Sequence, residues 1–172
     1  MHPLIIFVAK YGIFVVAGVA VIAWLWLPRH DKWALAVQVV VGLLVVLVLV
    51  KVAGSLHSDP RPFVVEPRLK PLIPHAADNG FPSDHTAVAA VVALLVLLFR
   101  PLVGLGLLVV TLGIGAARVA AHVHHPQDIL AGLAIGAVAA VAGMIVWWAV
   151  ANISWVGRLS SSAGSTPPAH TR

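Results

Sequence analysis

The sequence predicts an all-α fold: a polytopic transmembrane helix bundle of about five spans, or six if one is merged with a neighbour. Three observations lead there. The chain is 60% hydrophobic and only 10% charged, where a soluble domain has roughly 45–50% apolar and about 25% charged residues. Its mean hydropathy is +1.01. Its apolar residues gather in five stretches, near 4–27, 34–54, 84–100, 102–122 and 127–153, and a helix needs about 20 such residues to cross the hydrocarbon core.

The first stretch reads as a span rather than a cleavable leader. It lacks a basic start, and its apolar run far exceeds the roughly 7–15 residues of a leader core. The third is short, yet it lies between two constrained segments. The fourth carries Gly104, Gly106, Gly113 and Gly115, and the fifth has Gly132 and Gly136 in a GxxxG spacing. Small residues let membrane helices approach closely, so these glycines are assigned to packing. Residues 1–156 are expected to form one integral membrane domain. Residues 157–172, rich in Ser, Pro and Gly, are expected to be a disordered cytoplasmic tail.

Composition narrows the function. There is no cysteine, so disulfides, thiolate metal sites and cysteine nucleophiles are excluded. The net charge of +5 does not point to nucleic acid, because the Lys and Arg residues are scattered between apolar runs and form no stripe. Five spans put the termini on opposite sides. Trp24, Trp26, Trp33, Trp147, Trp148 and Trp155 then share one face, as interfacial tryptophans do. That face carries Arg29, Lys32, Arg100, Arg158 and Arg172; the other carries Lys51, Arg61, Arg68, Lys70 and Arg118. Setting aside Lys51, Arg61 and Arg118 as candidates for a site leaves the Trp face the more basic, hence cytoplasmic. The long loop, about residues 55–83, is then external. It contains Pro60, Pro62, Pro67, Pro71, Pro74 and Pro82, and a loop of this length in a compact protein is usually functional or disordered.

Polar residues at membrane depth are costly and mark function by default. They cluster in KVAGSLHSDPRPF (51–63), FPSDHTA (81–87) and ARVAAHVHHPQDI (117–129), all at the same predicted face. In the second cluster Ser83 is placed to cap a helix, whose free N–H groups attract an anion, and His85 can give a proton to a leaving group. A plain capping sequence is the simpler alternative. In the third, Pro126 suits the first position of a new helix. Asp128 can then reach back to His124, fix its tautomer and leave the other nitrogen free to attack. Arg118 suits phosphate oxygens; a polar interfacial loop is the alternative. In the first, Arg61 precedes Pro62, so the chain is extended there and Arg61 can point between the other two clusters. A rival metal site would use His122, His124, His125, Asp84, His85 and Asp128, but the histidines lack the usual i, i+4 helix spacing and an arginine within the cluster repels a cation.

At these residues the chain resembles the type-two phosphatidic acid phosphatase superfamily. That family shows a Lys, six residues, then Arg-Pro; Pro-Ser-Gly-His; and Ser-Arg, five residues, His, three residues, Asp. Here stand Arg61-Pro62; Pro82-Ser83-Asp84-His85; and Ala117-Arg118 with His124 and Asp128 at the family spacing. The stretch from Pro60 to Thr86 is similar to the undecaprenyl-diphosphatase branch of the bacitracin-resistance type, in which Asp at the motif Gly is familiar. Three features depart: Asp84 replaces Gly, Ala117 replaces Ser, and Lys51 lies ten residues before Arg61, with Gly54 at the usual place. His57 is an alternative to Lys51. The superfamily usually has six core helices.

The resemblance implies that His124 attacks the terminal phosphorus and forms a phosphohistidine. Asp128 orients His124, and His85 protonates the leaving oxygen and later activates water. Arg61, Arg118, Ser83, the backbone near Asp84 and, more weakly, Lys51 hold the phosphate. No metal or cofactor is implied. The implied substrate is a polyprenyl diphosphate lipid, undecaprenyl diphosphate, drawn from the membrane lipids at an extracytoplasmic interface of the bacterial plasma membrane. Another lipid phosphate, phosphatidate or phosphatidylglycerol phosphate, is the alternative substrate. A lipid or small-molecule transporter is the alternative from another class, though it would spread charges through the bilayer, whereas here the spans are nearly empty of charge apart from Lys10 and the charges gather at one face.

Overall fold

The structure is a computed structural model that describes the backbone of residues 2–163 and the side chains of 3–153. Its helices are α1 (His2–Leu25), α2 (Arg29–Leu56), α3 (Pro62–Val65), α4 (Asp84–Phe99), α5 (Pro101–Ala120) and α6 (Pro126–Ala163). Five of them build the bundle, and α3 is one turn within the long loop. Four are long and apolar enough to cross a membrane: Pro3–Leu25, Arg29–Leu56, Pro101–Ala120 and Pro126–Ile153. The chain is a multi-pass membrane protein. The expected tail from 157 overlaps the end of α6, and residues 164–172 lie outside the described residues.

The short third stretch is the centre of the bundle. At 16 residues α4 is about 24 Å long, and it packs on α1, α2, α5 and α6. Ala87, Ala89, Ala90 and Ala93 are buried along it. Such small side chains suit close approach where lipid gives no hydrophobic drive between helices. The outer surfaces are apolar instead: Phe14, Leu47, Leu102 and Val109 are exposed, as lipid-facing residues are. A single residue, Arg100, separates α4 from α5, and Pro101 opens α5 where its missing N–H costs nothing.

The glycine stripe of α6 faces the start of α4. A Cβ on Gly132 would lie 2.5 Å from the Ser83 carbonyl oxygen, and one on Gly136 2.6 Å from the Ala90 Cβ. Gly132→Val is therefore expected to push α6 off the start of α4, lowering the melting temperature in detergent by an overpacking cost of about 1–3 kcal/mol. Turnover should fall more than stability does, because Ser83 and His85 move. Gly113→Ala meets open space and serves as the unchanged control in the same melt and assay.

The tryptophans mark the other end of the bundle. The Trp24 indole donates to the Lys32 carbonyl at 2.8 Å, the Lys32 ammonium sits 5.6 Å from the Trp24 ring, and His30 meets Trp147 edge-on at 5.9 Å. Arg100 donates to the Trp26 carbonyl at 2.6 Å, tying the α4–α5 turn to the same level. Trp155 has no described side chain.

Candidate active site

Three stretches distant in sequence meet at the end opposite the tryptophans. The Ser83 amide donates to the Asp128 carbonyl at 3.0 Å and the Gly80 amide to the Asp59 carbonyl at 2.9 Å. Arg61 Nη1 donates to the Val123 carbonyl at 2.7 Å. Asn79 knots the long loop: its Oδ1 accepts the amides of Asp59 and Phe81, and its Nδ2 donates to the carbonyls of Gly54 and His57. All four hydrogen-bonding positions of that side-chain amide are used.

The turn from α5 to α6 presents His124. The Val123 amide bonds back to the Arg118 carbonyl at 3.2 Å, and His122 adopts φ 60°, a left-handed conformation costing a non-glycine residue roughly 1–2 kcal/mol. The His122 ring donates to the Lys70 carbonyl at 3.1 Å, which helps hold this turn. Pro126 then opens α6, and Asp128 stands in its first turn. Asp128 Oδ2 accepts the His125 amide at 2.8 Å and lies 3.2 Å from His124 Nδ1. The carboxylate accepts, so Nδ1 carries the proton and Nε2 has the lone pair. Both side chains are fully buried, and His124 Nε2 has no partner among the described residues.

Two arginines flank this imidazole. Arg118 is 2% exposed and Arg61 5%, so each is a desolvated guanidinium rather than a surface charge. Arg118 Nη1 donates to the Ala9 carbonyl at 3.2 Å and its Nη2 to His75 Nε2 at 3.1 Å; its Nε is buried without a partner among the described residues. Arg61 Nε donates to Asp78 Oδ1 at 2.8 Å, and its Nη2 donates to the Asn79 carbonyl at 3.4 Å. Arg61 therefore braces the loop as well as charging the site, with part of its five-donor fork left over.

Ser83 holds the N-cap position of α4, but its side chain caps nothing. Its hydroxyl pairs with the Thr86 hydroxyl at 3.0 Å. The first intrahelical bond is from the Ala87 amide, which leaves the amides before it as free donors of the helix end. Asp84 points outward, 67% exposed, and its carboxylate is 3.9 Å from His85 Nδ1, too far for a hydrogen bond. His85 is one-third exposed, so it borders the site from an open side. Lys51 is exposed on α2 and makes no hydrogen bond or ion pair with the described residues. His57 stacks edge-on against Phe81 at 4.7 Å.

Sequence reasoning gave no role to His75, Asp78 and Asn79, which the structure brings in from the loop. Among the described residues, Asp59, His125 and Asp128 are the three groups whose spacing would suit a metal. Asp59 Oδ2 lies 3.1 Å from His125 Nδ1 and accepts from Gln127, and Asp128 Oδ2 serves His124 and His125, while His125 Nδ1 and Asp128 Oδ1 have no hydrogen-bond partner among the described residues. Of the rival metal set expected from the sequence, His125 and Asp128 belong to this group, and His122, His124, Asp84 and His85 do not.

Burial holds the His124 imidazole below its ordinary value of 6.5, with Arg118 and Arg61 acting the same way against the Asp128 hydrogen bond. A nucleophilic imidazole is active when neutral, so activity is lost as pH falls through that lowered value. The acid limb of kcat/KM is expected to have its midpoint below pH 6.5; a midpoint above it contradicts this assignment.

Residues 34–152 match the PAP2 superfamily. The bacitracin transport permease protein BcrC of Bacillus licheniformis is 32% identical over 94% of this chain and 77% of its own. The undecaprenyl-diphosphatase BcrC of Bacillus subtilis is 29% identical over 78% of this chain and 69% of its own. The crystal structure of Aquifex aeolicus LpxE shares the fold, with a TM-score of 0.68 at 22% identity over 83% of this chain and 84% of that one.

Proposed function

Because the chain belongs to the PAP2 superfamily, we propose that it hydrolyses undecaprenyl diphosphate to undecaprenyl phosphate and phosphate through a phosphohistidine at His124. The observation that carries this reading is the buried, unpartnered Nε2 of an imidazole whose other nitrogen is tied to Asp128. In the first step Nε2 forms a bond to the terminal phosphorus while the bond to the bridging oxygen breaks. His85 gives its proton to that oxygen, and the lipid monophosphate leaves. In the second step His85 takes a proton from water, the water oxygen bonds to phosphorus, and the P–N bond breaks to return His124.

Asp128 orients His124 and offsets the positive charge it gains. Arg118, Arg61, the Ser83 hydroxyl and the amides at Asp84 neutralise charge on the phosphoryl oxygens, which spreads in the transition state. Lys51, free and about 7.5 Å back from the end of α2, adds positive charge at the depth where a headgroup meets the bilayer. The polyprenyl substrate follows from the names of the Bacillus subtilis protein and the sequence likeness. The tryptophan end and the charge tally support a site that faces outward, and the bacterial relatives support the plasma membrane as its place.

The name of the Bacillus licheniformis relative speaks of transport. Here the buried charged groups, Arg61, Arg118, His124 and Asp128, lie together at one end rather than along a path through the bundle. Purified protein in detergent, given a polyprenyl diphosphate with EDTA present, is expected to release phosphate. It should act on the diphosphate faster than on phosphatidate. No release, with lipid movement across vesicles instead, is the transporter outcome.

A further inference from the structure

His75 stands inside the site although no motif contains it. It comes from the loop between α3 and α4, and its ring centroid lies 6.3 Å from that of His124 with the planes at 77°. Its Nε2 is 3.1 Å from Arg118 Nη2. A guanidinium only donates, so Nε2 must accept, and the single ring proton sits on Nδ1. That Nδ1 is buried and has no partner among the described residues. Burial, then Arg61 and Arg118, hold the ring below the ordinary imidazole value against the opposing pull of Asp78, which keeps it neutral and its tautomer fixed.

A buried N–H without an acceptor is costly to keep. Besides His125 Nδ1, which lies 3.1 Å from the Asp59 carboxylate, the buried nitrogens without a hydrogen-bond partner among the described residues are His75 Nδ1, Arg118 Nε and His124 Nε2. The third is a lone pair aimed at phosphorus. The first two are donors, and the oxygens of a phosphoryl group held at the third are the acceptors that would satisfy them.

We propose that His75 is a further substrate-binding residue, its Nδ1–H donating to a non-bridging oxygen of the phosphoryl group at His124 while its Nε2 holds Arg118. The proposal rests on the reading of His124 as the nucleophile. It also gives the long loop a chemical task, completing the phosphate cradle beside Arg118 and His124.

Two isosteric substitutions separate the two ring nitrogens. His75→Asn keeps a donor near the Nδ1 position and gives up the acceptor for Arg118. His75→Gln keeps an acceptor near the Nε2 position and gives up the donor. With farnesyl diphosphate as substrate and orthovanadate as a phosphoryl mimic, His75→Gln should lose at least about tenfold in both kcat/KM and vanadate affinity. His75→Asn should retain clearly more of both. A Gln variant that matches or exceeds the Asn variant overturns the proposal and leaves His75 as a support for Arg118. A second arm needs no variant: in the histidine-labelled wild type, the Nδ1 resonance of His75 should shift when orthovanadate is added, and an unmoved resonance also overturns it. The outcome is distinct from failure of the underlying reading, which shows instead as a His124→Ala protein that still turns over.

Discussion

His124→Ala is expected to lower kcat by at least about 10⁴-fold, the scale seen when a covalent nucleophile is removed, while the protein still folds. Among the described residues the side chain makes one hydrogen bond, to Asp128, and its other nitrogen has no partner. Its removal therefore opens a small cavity and takes one of two hydrogen bonds from the Asp128 carboxylate, which keeps the His125 amide, costs that a bundle built on α4 and α6 can bear. The assay has two readouts. Phosphate release should vanish, and so should an acid-labile phosphoryl adduct that wild type accumulates on rapid quenching. The melting temperature in detergent should move far less than the rate. A variant that turns over at wild-type speed removes the nucleophile from this position.

Asp128→Asn is expected to cost on the order of 10²–10⁴ in kcat, the range for a histidine left in the wrong tautomer. Asp128 Oδ2 accepts both the His124 ring proton and the His125 amide. The asparagine amide can keep one acceptor but also presents donors. If an N–H of the amide faces His124, Nδ1 must accept, the ring proton moves to Nε2, and the lone pair that attacks phosphorus is lost. The positive charge that His124 gains in the intermediate also loses its counter-charge. KM should change little, because Asp128 is fully buried and does not meet the phosphate. A kinetic split with KM rising and kcat unchanged would place Asp128 in binding instead.

Several features of this site were legible in the sequence because they are local. Pro126 at the start of α6 and the four-residue step from His124 to Asp128 dictate that the carboxylate reaches the imidazole, and the structure has that contact. Arg61 before Pro62 predicts extended backbone, and Arg61 sits at φ −60° and ψ 151°. Ser83 before an apolar run predicts an N-cap, and the position holds while the hydroxyl turns to Thr86 instead. The loop was opaque for the opposite reason. Asn79 bonds to residues 20 to 25 positions away, and a Pro-rich segment without periodicity says nothing about which side chain folds inward.

By itself the sequence determined that this chain lies in a bilayer, roughly where its five long helices lie, and which side chains were too polar to be left in lipid; it did not foresee the turn of α3 or that α6 runs on to Ala163. Those properties follow from transfer of apolar surface out of water and from single-turn geometry, both set by neighbours along the chain. Only the tertiary structure decided how the donors are shared: Arg118 spends one on Ala9, 109 residues away, and another on His75, and Arg61 reaches Val123 across 62 residues. Hydrogen bonds of that range depend on the bundle bringing distant backbones within 3 Å or so of a buried side chain. What remains unpaired after that sharing is what can meet a phosphate.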